Sequence, residues 1–309
     1  MSDTSLLVRG RAAVRRVRGT GDGAAAERRL ADWYAEVVDS GAPAWRYALR
    51  HPLGALGAAG DVRRLPERLA QLADTPSGRG LAATLSHRGP FRIPIGRTGV
   101  AVLDVPADPA EYREGASKQT LRRKVRLAER NGVTWRPVPD VEERLALLHL
   151  ANAAETAHAV ARYRVDRPDN DDLLDHDLWL AAYAADGTPL LLSVTPTQGA
   201  WGHLRYFRTL GAGQVYSDSR YLMTQALVET LAARGVRQLV DGVHPVDLPN
   251  GLRHFQRMVG FRLVRVRTRL TPAAADEPQD RALERAPLPW IPRPAERPAE
   301  RVDRAPARG

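Results

Sequence analysis

The sequence predicts an α/β protein: a mixed, mostly antiparallel sheet flanked by helices, with a helical extension at its N-terminus. Three observations carry this. At 309 residues and 43% apolar content the chain is long and apolar enough for a full core. From about residue 96 to residue 270, segments that alternate with period two interleave with segments of helical period. Their order, β-α-β-α-βββ-α-β-α-β, has three consecutive strands followed by helix, strand, helix and strand. That order excludes a doubly wound parallel nucleotide fold.

In chain order, residues 1–20 hold five arginines, Arg9, Arg11, Arg15, Arg16 and Arg18, and read as a basic arm or short exposed helix. In "AAAERRLADWYAEVVD", Leu30, Trp33, Tyr34 and Val37 fall at i, i+3, i+4, i+7, one apolar helical face. "DVRRLPERLAQLAD" is expected to be a further helix. "GVAVLDVP" is a short strand. "SKQTLRRKVRLAERNG" is a helix with Ser117 as N-cap and Gly132 at its C-terminal end. "VTWRPV" is a strand. A long helix begins at residue 140 with the capping box Asp140 and Glu143. Strands "DLWLAAYA", "PLLLSVT" and "AWGHLRYFR" follow, joined at "ADGT" and "PTQG". The second long helix is expected to start at Ser217 or Asp218 and end at Gly235. Strand "VRQLVDG", short helix "PNGLRHFQRMVG" and strand "FRLVRVRTRL" close the fold. Residues 271–309 carry eight prolines, seven arginines and seven acids, a composition that predicts disorder. The divisions are thus 1–95, a basic helical extension; 96–270, the α/β domain; and 271–309, the tail.

Composition also bounds the chemistry. With no cysteine, the chain can form no disulfide, zinc-thiolate site or cysteine nucleophile. His149, Glu155 and His158 share a helix but make no ligand set, because nine residues put the two histidines on opposite faces. No metal is expected. No early apolar run reaches signal-peptide or bilayer-spanning length, so a cytoplasmic protein without a membrane span is expected. The net charge of +10 points to an anionic partner: nucleic acid, a phosphorylated ligand or acidic lipid.

Three stretches resemble the GNAT acyltransferase superfamily, most closely its Fem-type branch and related single-domain members. "LRRKVRLAERNGVTWRPVPDVEERLALLHLANAAE" resembles the Fem-type basic helix, strand and following helix. "RYLMTQALVETLAARGVRQLVDG" resembles a helix-strand unit ending in Asp-Gly, and "GLRHFQRMVGFRLVRV" the short helix and closing strand of the superfamily. The resemblance spans about residues 96–270. It implies a GNAT-like fold and transfer of an acyl or aminoacyl group to an amine on a small molecule or peptide. The chain departs at Gln256, where many members place a tyrosine and Fem-type members a lysine.

"RTLGAG" matches the superfamily's R-x-x-G-x-G phosphate loop, making Arg208, Gly211, Gly213 and Ser217 candidates for binding the donor. Glycines there let backbone N–H groups approach a pyrophosphate, and a following helix adds its positive dipole end. Here "QVYSD" is read as separating the motif from its helix. His244 and Asp241 end strand "VRQLVDG", as base and orienting or ammonium-binding group for an amine nucleophile. His254, on the short helix away from the apolar positions Leu252, Phe255 and Val259, is a third catalytic candidate. Between Lys118 and Arg130 lie six cations and one acid, and they include the chain's only two lysines. Lys118, Arg122, Arg123, Lys124 and Arg126 are therefore phosphate- or tRNA-binding candidates. Three functions stay open. The first is an N-acyltransferase with acyl-CoA as donor substrate. The second is a Fem-type transferase using aminoacyl-tRNA. The third is a non-catalytic module that binds RNA or another anionic partner through residues 117–130.

Overall fold

The computed structural model describes residues 21–89, 91–158 and 164–272. The expected basic arm and proline-rich tail lie outside these, except for residues 271 and 272. Helices α1 (Gly21–Asp39), α2 (Ala44–Arg50) and α3 (Pro52–Arg64) open the described chain. Strand β1 (Glu67–Ala73), α4 (Pro76–Ser86), α5 (Ile95–Thr98) and β2 (Val100–Asp104) follow. Next come α6 (Gln119–Arg130), β3 (Thr134–Pro137) and α7 (Val141–Thr156). Strands β4 (Trp179–Tyr183), β5 (Pro189–Val194), β6 (Thr197–Gln198), β7 (Trp201–His203) and β8 (Tyr206–Thr209) lead to α8 (Gln214–Ala233). The fold closes with β9 (Gln238–Asp241), α9 (Asn250–Val259) and β10 (Arg262–Thr271).

The strands form two mixed or antiparallel sheets, ordered β1-β10-β2-β9-β7-β6 and β3-β4-β5-β8. The architecture is the predicted mixed, mostly antiparallel α/β arrangement flanked by helices. The central strands are apolar on both faces because both are covered. Ala101 and Leu103 of β2 and Leu180 and Ala182 of β4 turn toward α6 and α8, which supply Leu121, Val125, Met223 and Leu227. Val100 and Val102 turn the other way, onto Leu81 and Leu85 of α4. Trp179 and Ala181 do the same onto Leu147 and Ala151 of α7.

The structure corrects several element boundaries. Residues 67–73, expected to be helical, form β1 and pair in parallel with β10 along its length. Pro66 ends the preceding helical run, and Leu72 and Ala70 alternate into the core. Ser117 caps nothing: α6 begins at Gln119 after a 3₁₀ turn over Ala116–Lys118. Gly132 does end α6, with φ +73°; Val133 N–H reaches the Ala128 carbonyl and Gly132 N–H that of Glu129. Only half the capping box forms. Asp140 accepts the Glu143 N–H at 2.8 Å, while the Glu143 carboxylate binds Arg136 and Tyr183 instead of turning back. The helix read as starting at Ser217 or Asp218 starts at Gln214.

The most consequential correction is that "AWGHLRYFR" is two strands in two sheets. β7 runs parallel to β9, and β8 runs antiparallel to β5. The break lies at Leu204. Its N–H still reaches Val240 at 2.8 Å, but Arg205 N–H turns back to the His203 carbonyl at 2.8 Å, a three-residue turn.

Candidate active site

The break at Leu204 parts β8 from β9, and a cleft of about 390 Å³ opens between them. One wall is β8 with Glu155 and His158 from the end of α7. The other is the segment after β9, carrying Asp241, Gly242, Val243 and Asp247, with the Leu252, Phe255 and Gln256 face of α9. Gly242 has a packing reason to lack a side chain. A Cβ there would fall 2.6 Å from Thr84 and 2.7 Å from Nε2 of His203.

Asp241 is in the cleft, as the sequence anticipated. Its Oδ1 accepts the Val243 N–H at 3.0 Å and its Oδ2 accepts Nε2 of Gln256 at 2.6 Å. Gln256, the departure from the family pattern, thus fixes the carboxylate. Burial outweighs both hydrogen bonds and pushes the Asp241 carboxyl up to about 6. Asp247, further along the same wall, is also pushed up to about 6 by burial. His244 is elsewhere. It is buried, with Nε2 on Thr98 Oγ1 at 3.1 Å and Nδ1 accepting the Val246 N–H at 3.3 Å. Its ring packs edge-on to Tyr34 at 5.0 Å, and burial lowers its pKa to about 3. Both ring nitrogens are occupied, so His244 is a neutral structural group between α1 and the β9–α9 connection. His254 is exposed and faces away from the cleft. His203 lines the cleft as well as His158 and is held neutral: burial, aided by the charges of Arg205 and His176, lowers its pKa to about 3.

Charged groups line the β8 wall, of which the sequence singles out Arg208 for the donor but not Arg205 or Arg220. Arg205 makes two 2.9 Å hydrogen bonds to Asp172. Glu155 is buried; its Oε1 accepts the Tyr206 hydroxyl at 2.9 Å and faces Arg208 at 3.4 Å, while its Oε2 has no hydrogen-bond partner among the described residues. Arg220 of α8 reaches Thr209 at 3.3 Å. Arg208 therefore serves the cleft wall.

The glycine loop runs straight into α8, so no "QVYSD" spacer separates motif from helix. Gly213, φ +113°, is the N-cap residue, and no side chain caps the first-turn N–H groups. Residues 211–214 are exposed. The positive end of α8 is thus open, beside the cleft wall formed by Arg208 and Thr209. At Gly211 a Cβ would meet the tip of the Tyr216 ring at 2.5 Å. Ser217 lies exposed in the first turn, its N–H on the Gly213 carbonyl at 3.1 Å.

The cationic candidates on α6 divide. Lys118 is structural: Nζ donates to the Val259 carbonyl at 2.6 Å, lies 4.2 Å from the Tyr112 ring centre, and is lowered to about 8 by burial. Arg122 donates to the Arg113 and Gly115 carbonyls at 2.5 and 2.8 Å. Lys124 pairs at 2.7 Å with the buried Asp218 of α8, which also accepts Gln214 at 2.8 Å. Arg123 and Arg126 stay exposed, as does Arg130, and the Arg123 charge acts on Tyr221 of α8. The structure therefore packs α6 against α8, with Lys124 tied to Asp218 near the N-terminal end of α8.

No family model matches the chain, and no curated protein matches it. Among solved structures it is similar to the C-terminal domain (DUF2156) of a putative lysylphosphatidylglycerol synthetase from Agrobacterium fabrum. That match has 16% identity, covers 53% of this chain and 58% of the other, and has a TM-score of 0.40. The structure of L-PGS from Bacillus licheniformis is similar at 16% identity over 53% of this chain and 57% of the other, also with a TM-score of 0.40. The chain thus spans less than two thirds of either. No helix among the described residues is long and apolar enough to cross a membrane.

Proposed function

We propose that this protein transfers an acyl group from a phosphate-bearing donor, acyl-CoA, to an amine. The observation that carries the reading is the parting of β8 from β9, which opens a cleft beside a glycine loop that leads directly into α8. The donor's phosphates would meet the uncapped N–H groups of α8, with the exposed Arg123 adding positive charge. Its acyl arm would enter between the strands. In the transfer, the amine nitrogen bonds to the donor carbonyl carbon, the carbon–sulfur bond breaks, and its electron pair leaves with sulfur as a thiolate. The amine's proton goes to Asp241, whose carboxyl is raised by burial to about 6, and passes from there to the thiolate, which departs as the thiol. Gln256 holds that carboxylate in place. This reassigns the base from His244, whose nitrogens are occupied.

A second donor, aminoacyl-tRNA, is favoured by one specific feature. Arg123, Arg126 and Arg130 are exposed along α6, more cations than one pyrophosphate needs. Mass spectrometry of the purified protein for co-purified CoA species or tRNA, followed by titration with each, tests both. Binding of neither overturns the proposal.

A further inference from the structure

The N-terminal helices carry a surface that the transfer reaction does not use. From Pro52 to Gly60, "PLGALGAAG", α3 contains no polar side chain, yet Leu53 is 83% and Leu56 70% exposed. On α2, Leu49 is 73% and Trp45 52% exposed. A helix apolar on all sides is normally buried, and a contiguous exposed apolar face marks an interaction site. Nothing else among the described residues covers this one. The inner side of α3, Ala55 and Ala58, packs on the Leu30, Trp33 and Tyr34 cluster and borders a cavity of about 480 Å³.

Charge indicates what covers it. Residues 42–60 contain no acid, while Arg46 and Arg50 lie among the apolar side chains, with Arg46 5.1 Å from the Trp45 ring. Asp61, the first acid after the stretch, is buried and bound by Arg29 and Arg64. Leucines and a tryptophan interleaved with arginines, free of acids, are complementary to an anionic bilayer surface. There apolar groups enter the acyl boundary, a tryptophan sits at headgroup level and arginines meet phosphates. We infer that the α2–α3 face, centred on Trp45, Leu49, Leu53 and Leu56, docks the protein on an anionic lipid surface.

Vesicle flotation of the full chain tests this, using phosphatidylcholine alone and phosphatidylcholine mixed with phosphatidylglycerol. The expected result is flotation with the mixed vesicles and little with the neutral ones. Leu53→Asp with Leu56→Asp should weaken it at least tenfold without shifting the melting temperature, since both side chains are exposed. Arg46→Gln with Arg50→Gln should reduce the preference for anionic vesicles. Three outcomes would overturn the inference: no flotation of the wild type, equal flotation with both vesicle types, or undiminished flotation of the leucine variant. The last would assign binding to residues outside this face. A wild-type dimer that the leucine variant makes monomeric, with no vesicle binding, would identify a second copy as the occupant and equally overturn it.

Discussion

At the residue scale, Asp241 and His244 lie three positions apart and have opposite fates. Asp241 ends its strand facing the cleft, whereas His244 is turned into the α1 interface by hydrogen bonds to Thr98 and Val246. Asp241→Asn should therefore reduce transfer by about 10²-fold or more. It should not lower stability. Raised from 3.8 to about 6, the buried carboxyl disfavours the folded state fully above pH 6, and that penalty fades as pH falls toward 4. The neutral amide removes the penalty, so at pH 7 the melting temperature should hold or rise, as thermal unfolding will show. The transfer rate of the wild type should fall as pH drops through 6, where the base becomes protonated. His244→Ala is expected to do the reverse: a loss of about 2–3 kcal/mol in denaturant melts, with turnover per folded molecule nearly unchanged. Asp241 was legible as the polar residue ending an apolar strand. The burial of His244 was not, because its partners Tyr34 and Thr98 are far away in sequence.

At the element scale, the decisive feature is a strand that changes sheets. "AWGHLRYFR" is rich in strand-forming aromatics and holds no proline or turn pair, so it reads as one strand; the turn at Leu204 is a backbone event that no proline or glycine at the turn itself announces. The start of α8 was misjudged for a related reason. Ser217 and Asp218 are good N-cap residues, but Gly213 takes the role at φ +113° and Asp218 is used as the buried partner of Lys124. Lys124→Met should leave that carboxylate unpaired and cost about 3–5 kcal/mol in unfolding measurements. The exposed arginines of α6 should behave differently. Arg123→Gln, Arg126→Gln and Arg130→Gln together should spare the melting temperature. If tRNA is a ligand, the slope of log affinity against log salt should shrink by about 3 × 0.9 charges' worth. An unchanged slope would make α6 a solvated face.

At the scale of the whole molecule, the sequence showed the layered α/β core but not how far the N-terminal region enters it. β1 forms an edge of the six-stranded sheet, and α1 is tied to the C-terminal elements through Glu27–Arg262, Asn250–Asp39 and Arg253 with the Tyr34 carbonyl. A fragment of residues 96–272 should consequently fail to give a cooperative thermal transition, whereas 21–272 should give one. Such long-range pairing leaves no local periodic signal: "ERLAQLA" reads equally as helix or strand until β10 is beside it. The central claim is that the open end of α8 and the adjoining cleft hold a phosphate-bearing acyl donor. Its most direct test is calorimetric titration of the full chain with acetyl-CoA and with charged tRNA, for the wild type and Gly213→Val. That substitution forces a branched residue to φ +113° at the donor's phosphates. The structure predicts saturable binding of one of the two donors by the wild type and its loss in a variant that still melts cooperatively. Binding of neither donor by the wild type, or undiminished binding by Gly213→Val, would contradict it.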